Sequence, residues 1–451
     1  MAGLYPGKNM YQIIVKSRSD AGAIESMVDR FYRGWPIVIN TLKGGKLEAL
    51  DNILDQLLKD DHYNFVFLGR KDLRVYEHIE KYDEYNNVVY LIDRSRVRNI
   101  RIEHLAWFFE KARSLQRLRI TSKKGRLLLG RMEKQIIPEP EPYMDLFILH
   151  VSANVSEKIG LGPGTYLVLR GLGGKHFVID YSGIKGILTI PDNLGIPKYS
   201  GDKPSQINPS ELIKYNTEFL EQEEHIVVSF MNKFKESFDR IIVPVSGGKD
   251  SATALYLAKK VYGERVEGVF VDIDLDMPHN KIFINRLEQE LKVPIHRVRV
   301  ELHKYLSQKG FPTPNNRWCT ALKIAALENM YGELCRDTEC LIVVGDRDVE
   351  SEARGRRSPV IVNDKYVRIS PLKQWSTLTL QLYMMYRKIP VNPLYDEGFY
   401  RLGCFICPSL RGWEHLLINT SPMLRSVRND MIYKNYVEYL KNTPKEYSTG
   451  L

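Results

Sequence analysis

The sequence predicts a multidomain α/β protein whose C-terminal domain is built on a parallel sheet. Three observations carry this expectation. Strand-like and helix-like segments alternate through the first third of the chain, short β-branched segments cluster in 143–209, and a glycine turn joins an apolar strand to a helix near residue 247. The composition fits, with 451 residues, 43% hydrophobic and 27% charged, enough chain for several buried cores. It excludes disordered, collagenous and disulfide-scaffold chains. No apolar run approaches the roughly 18 residues of a spanning helix and no signal-peptide pattern is seen, so a cytoplasmic protein with no membrane partner is expected. The five cysteines then read as buried residues, metal ligands or catalytic thiols.

The first domain, 1–135, opens with a strand over 10–15, a helix over 21–31 and a second strand over 36–40. Leu47, Leu50, Ile53, Leu54, Leu57 and Leu58 mark one face of a helix over 47–58, and 64–68 follows as a strand. Between 94 and 134 there are 13 Lys/Arg against three Asp/Glu, interleaved with Trp107, Phe108 and Phe109. That window matches the formal net charge of +10. Two readings stand: the solvated face of an amphipathic helix over 102–115 with a basic hairpin, or a footprint for RNA or another polyanion that uses Arg96, Arg98, Arg117 and Arg119.

Alternating Pro and Glu over 138–142 read as a linker. The second domain, 143–209, carries strands over 146–151, 165–170, 175–180 and 186–190, a small β-barrel-like module that ends in a loop over 196–209. A helical stretch over 210–238 leads into the third domain, 210–451.

There the apolar strand 241–245 runs into Ser246, Gly247, Gly248, Lys249, Asp250 and Ser251, and a helix over 252–261 follows. Glycines let the backbone approach an anion without a Cβ clash, consecutive N–H groups converge on it, and the helix N-terminus adds partial positive charge. Lys249 adds a full charge. The Walker A pattern is not matched, because Asp250 rather than Ser or Thr follows the lysine.

Ser-Gly-Gly-Lys-Asp-Ser resembles the PP-loop of the ATP pyrophosphatase superfamily, whose members include RNA thiolation enzymes, amidating synthetases and adenylylsulfate or phosphoadenylylsulfate reductases. Further segments resemble the reductase-like branch: Asp272 at a strand end, Arg317, Cys319, Thr320 and Lys323, the Gly345, Arg347, Glu350, Ser351, Arg354 series, Pro371 with Trp375, and 392–396 followed by Gly403, Cys404, Cys407 and Pro408. Asp274, Asp276, His279 and Asn280 depart from the branch's usual Gly-Leu-Glu-Phe-Pro-Glu-Thr loop. The resemblance covers about 240–413 and implies an adenine-nucleotide α-hydrolase-like domain that binds ATP with Mg2+ through Ser246 to Ser251, Asp272, Gly345, Arg347, Glu350, Ser351 and Arg354. Lys249, Asp250, Cys319 and Arg347 are the implied catalytic residues. The upstream module resembles a PUA-type RNA-binding barrel; a barrel that only spaces two domains is the alternative.

Cys404 and Cys407 have the spacing that lets two thiolates reach one metal. Cys319 is the third candidate ligand. Related members carry a cysteine pair at the upstream position, where this chain has Trp318. A 4Fe-4S cluster with one iron open to sulfide or substrate, as in cluster-dependent RNA thiolases, a Zn2+ site with His or Asp, and three metal-free thiols all remain open. Cys335 and Cys340 read as small buried hydrophobes. The reductases use a nucleophilic cysteine on a C-terminal tail, and no cysteine follows Cys407 here. The expected activity is therefore ATP-dependent RNA modification: a transferase adenylylating a base carbonyl of tRNA or rRNA with release of pyrophosphate and then transferring sulfur. Adenylylsulfate or phosphoadenylylsulfate reduction, and an RNA- or ribosome-binding protein with a regulatory nucleotide site, are the alternatives. A sulfur or electron donor and a homodimer are the further partners implied.

Overall fold

The computed structural model describes residues 8–120, 141–171 and 175–443. These group into two compact units that interleave along the chain. No helix among the described residues is long and apolar enough to cross a membrane.

One unit draws on 1–144, 210–238 and 346–379. Its sheet has β1 (Tyr11–Val15), β2 (Ile37–Thr41), β3 (Tyr63–Gly69) and β4 (Asn87–Ile92) in the order β2-β1-β3-β4, all parallel. Helices Arg18–Phe31, Leu47–Leu57 and Leu73–Ile79 connect successive strands. The sheet is buried on both faces, as parallel sheets are. Ile14, Val66 and Leu68 pack with Leu50, Leu54 and Val75. Phe65 and Phe67 meet Phe109 edge-on, with ring centroids 5.3 and 6.4 Å apart. The Val88 to Ile92 run that forms most of β4 was not read from the sequence, although its apolar β-branched composition carried the signal.

Phe109 belongs to helix Ile102–Arg117, which starts where the sequence predicted. Its basic residues do not form a solvated face. Arg113, Arg117 and Arg119 are buried: the first two pair with Asp348 and the third pairs with Asp83 at 2.8 Å. Lys373 approaches Asp348 at 2.9 Å from another side. These arginines are thus committed to the core, which corrects the solvated-face reading of that helix and removes Arg117 and Arg119 from any polyanion footprint. Residues 121–134 of the basic window lie outside the described residues, as does most of the proposed linker.

The other unit draws on 145–209, 239–345 and 380–451. Its first sheet is an antiparallel meander of β5 (Asp145–Val151), β6 (Gly164–Arg170), β7 (His176–Asp180), β8 (Gly183–Thr189) and β9 (Lys198–Gly201). The barrel-like expectation is corrected: among the described residues β5 and β9 are the two edges of an open sheet. Apolar side chains from β5, β6 and β8 pack against the α/β core of the same unit, so burial is reached without closure. β9 lies in the stretch expected to be loop.

In the α/β part, β10 (Arg240–Val245), β11 (Val266–Ile273), β12 (Ile295–Val300) and β13 (Cys340–Val343) are parallel in the order β12-β11-β10-β13. Strand order reverses between β10 and β13, so their carboxyl ends open a crevice of the kind that holds ligands in such sheets. Cys335 and Cys340, expected as separate buried residues, are joined as a disulfide with Cα atoms 5.8 Å apart. A helix end and a strand start lying side by side bring the two Cβ atoms within reach.

Candidate nucleotide and thiol site

The turn after β10 is held by its own side chains. The Ser251 hydroxyl accepts from the Ser246 N–H at 3.1 Å and donates to the Gly248 carbonyl at 3.1 Å. Gly247 has φ +77°, a left-handed conformation that glycine adopts at little cost. Helix Lys249–Tyr262 starts immediately after Gly248, so its first N–H groups face the crevice. Gly345, just beyond β13, packs so tightly on this first turn that a Cβ there would lie 2.6 Å from the Asp250 carbonyl oxygen.

Lys249 is buried. Its ammonium donates to the Tyr400 carbonyl at 2.9 Å and lies 3.3 Å from the Asp250 carboxylate, while its N–H donates to the Tyr395 hydroxyl at 3.0 Å. Asp272, at the end of β11, pairs with Lys281 at 2.6 Å. Asp250, Asp272 and the 392–396 segment were legible in the sequence, but the contacts of Tyr395 and Tyr400 with the loop were not, because the two lie some 150 residues away from it.

A second set of side chains backs the turn. Asn392 donates from Nδ2 to the Gly247 carbonyl at 3.1 Å and to Asn280 Oδ1 at 2.8 Å. Asn280 in turn donates from Nδ2 to Asp276 Oδ1 at 2.7 Å and packs on Gly247, where an added Cβ would sit 3.1 Å from Asn280 Cγ. Burial pushes the Asp276 carboxyl up to about 6, against the pull of Lys323 and Asn280. Asp276 and Asn280 are among the residues that depart from the reductase-type loop.

Cys319, Cys404 and Cys407 are free thiols in one buried apolar cluster with Leu275, Met277 and Trp413. The Lys323 ammonium lies 3.9 Å from Cys404 Sγ. Burial pulls Lys323 down, but Cys404, Asp276 and the other two thiols outweigh it, so the ammonium is held above its ordinary range. The hydrogen bond between Cys404 and Cys407 holds the Cys407 thiol well below its ordinary value and the Cys404 thiol above it. As a metal site the donor set does not fit as it stands: among the described residues no group of three or more His, Cys, Asp or Glu side chains is arranged to hold an ion.

The remaining predicted residues fall in the other unit. Arg347 is buried there, donating to the Trp375 carbonyl at 3.4 Å, and its N–H donates to Glu350 at 3.0 Å. Glu350 pairs with Arg354, and the Ser351 hydroxyl accepts from the Arg354 N–H at 3.2 Å, capping a short helical turn.

A parallel sheet whose switch-point strand runs through Ser-Gly-Gly-Lys-Asp-Ser into a helix defines a PP-loop nucleotide-binding domain. Residues 240–410 match the phosphoadenosine phosphosulfate reductase domain family, which sets this segment in the reductase-like branch of the PP-loop superfamily. An uncharacterized protein of Methanocaldococcus jannaschii is 29% identical over 209 residues, covering 45% of this chain and 43% of its own. An adenosine 5'-phosphosulfate reductase of Salinibacter ruber is 28% identical over 145 residues, covering 31% of this chain and 56% of its own. The phosphoadenylyl-sulfate reductase of Candida auris, solved with phosphate, is 16% identical with a TM-score of 0.32, covering 44% of this chain and 97% of that one. The chain spans about half the length of the curated relatives it matches first, 43% and 52%.

Proposed function

We propose that the protein is an ATP-dependent RNA-modifying sulfurtransferase. The observation that carries this reading is the run of hydrogen bonds from the Gly247 carbonyl through Asn392 and Asn280 to Asp276, whose charge neighbours Lys323 and the three thiols. A PP-loop turn and a buried cluster of thiols in one structural unit suit chemistry that joins a nucleotide to sulfur. N–H groups of the turn would bind the ATP phosphates, and Asp250 or Asp272 would hold the accompanying Mg2+, which neutralises phosphate oxygens. A base carbonyl oxygen would attack the α-phosphorus, with Lys249 offsetting charge on the departing pyrophosphate. Hydrosulfide beside Lys323 and the thiols would then attack the activated carbon. AMP would leave with the former carbonyl oxygen, and loss of one proton would leave the thiocarbonyl.

The test is pyrophosphate release from ATP by purified protein, with and without unmodified tRNA transcripts. RNA-dependent release that is lost in Lys249→Ala is expected. A second reading, conversion of adenylylsulfate to sulfite and AMP by an external thiol, is favoured by the domain match. Sulfite release from adenylylsulfate, with no RNA-dependent pyrophosphate, would establish it in place of the first.

A further inference from the structure

The charge that the sequence placed in the 94–134 window has another seat once Arg113, Arg117 and Arg119 are found buried. In the sheet β2-β1-β3-β4 all strands run the same way, so the segments that follow them (16–20, 42–46, 70–74 and 93–101) line a single edge. Those segments hold eleven Lys/Arg against three Asp. The segments at the opposite edge, 8–10, 32–36, 58–62 and 80–86, hold four Lys/Arg against five Asp/Glu. Parallel topology therefore sorts the charge: one edge carries a surplus comparable with the chain's whole +10, and the other carries none.

Two of the three acidic residues at the basic edge are structural. Asp72 is buried against Lys16 at 2.6 Å, and buried Asp20 accepts from the Arg98 N–H at 3.1 Å. Backbone hydrogen bonds knit the segments together: Gly44 N–H to the Lys16 carbonyl at 3.0 Å, Arg70 N–H to the Arg94 carbonyl at 2.7 Å and Lys71 N–H to the Ser95 carbonyl at 3.1 Å. At Gly69 an added Cβ would lie 2.6 Å from Arg96 Cα, so the third and fourth segments touch. Lys43, Lys46, Lys71, Arg94 and Arg101 stand exposed on this rim. The carboxyl edge of a parallel sheet, at the β1/β3 reversal of strand order, is where such folds place ligands. A rim of cations spread over four connected segments matches a chain of phosphates better than a single small anion.

We infer that this edge is the docking surface for the phosphate backbone of RNA. The inference rests on the RNA reading above and gives it an address. The full chain is titrated into a fluorescein-labelled tRNA transcript at several salt concentrations, by fluorescence anisotropy. Two variants are compared with it: Lys43→Gln/Lys71→Gln/Arg94→Gln/Arg101→Gln on the basic edge and Arg33→Gln/Lys59→Gln/Lys81→Gln on the opposite one. Circular dichroism and ATP affinity serve as fold controls, since none of these residues touches the nucleotide turn. Each phosphate left without its cation should flatten the log K against log salt slope by roughly 0.7 to 0.9, so the basic-edge variant should show a slope about 3 units shallower and an affinity at least tenfold weaker. The opposite-edge variant should stay within about twofold. Equal behaviour of the two variants overturns the docking surface while leaving RNA as a substrate. No RNA binding by the unaltered protein overturns both readings, and binding to phosphatidylserine vesicles in its place assigns the rim to a membrane and likewise overturns the inference.

Discussion

Glu223 on helix Thr217–Asn232 offers the most quantitative test of the unit that carries the basic edge. Its carboxylate is buried, accepting from the Tyr63 hydroxyl at 2.7 Å and from Gln116 at 2.5 Å. Burial raises its pKa from 4.5 to about 7, with those two hydrogen bonds and the charges of Arg117 and Arg119 pulling the other way. Between these two values the folded state binds the proton and the unfolded state does not, so stability must fall as pH rises from 4.5 to 7. A shift of that size corresponds to about 3 kcal/mol. Glu223→Gln keeps a hydrogen-bonding group toward both partners and cannot ionise. Urea unfolding of the two proteins should give similar stabilities near pH 5. At pH 8 the variant should be more stable by up to about 3 kcal/mol, with the divergence centred between pH 5 and 7. Parallel pH profiles, or a wild-type protein that is the more stable at pH 8, would refute the argument that this carboxyl is destabilised by burial.

Four further outcomes follow from the geometry. Asp348→Leu strands Arg113, Arg117 and Lys373 without their shared carboxylate, and the loss should be about 3 to 5 kcal/mol, read as a thermal midpoint lower by roughly 10 °C. Gly247→Ala forces a Cβ into a left-handed turn against Asn280 and should weaken ATP binding by calorimetry about tenfold, at a conformational cost of about 1 to 2 kcal/mol. Asn280→Ala removes two hydrogen bonds of about 1 kcal/mol each and should raise the ATP dissociation constant roughly tenfold. Asp276→Asn, which can still accept from Asn280, should stay within about twofold of the unaltered protein.

Local features were legible in the sequence. The turn from Ser246 to Ser251 is six contiguous residues between an apolar strand and a helix, and its geometry needs little beyond them. The alternation in the first third likewise gave β1, β2, β3 and two of their helices. Features made by residues far apart were not legible. Arg113 and Arg117 read as surface charge because their partner Asp348 is more than 200 residues away, and the disulfide at Cys335 and Cys340 depends on how a helix end meets a strand. The β module shows the same limit: four strands were readable, but the open sheet follows from a face that packs against an α/β core distant in sequence.

By itself the sequence determined a glycine turn between a strand and a helix, a set of strands and helices in order, one closely spaced cysteine pair and a surplus of positive charge. Only the tertiary structure decided which of those charges are buried, how Asn280 and Asn392 brace the turn, and that a surplus of cations collects at one edge of a parallel sheet. The reason is physical. A turn or a strand is fixed by neighbours along the chain, whereas burial and the pairing of charges depend on which distant segments the hydrophobic core brings together.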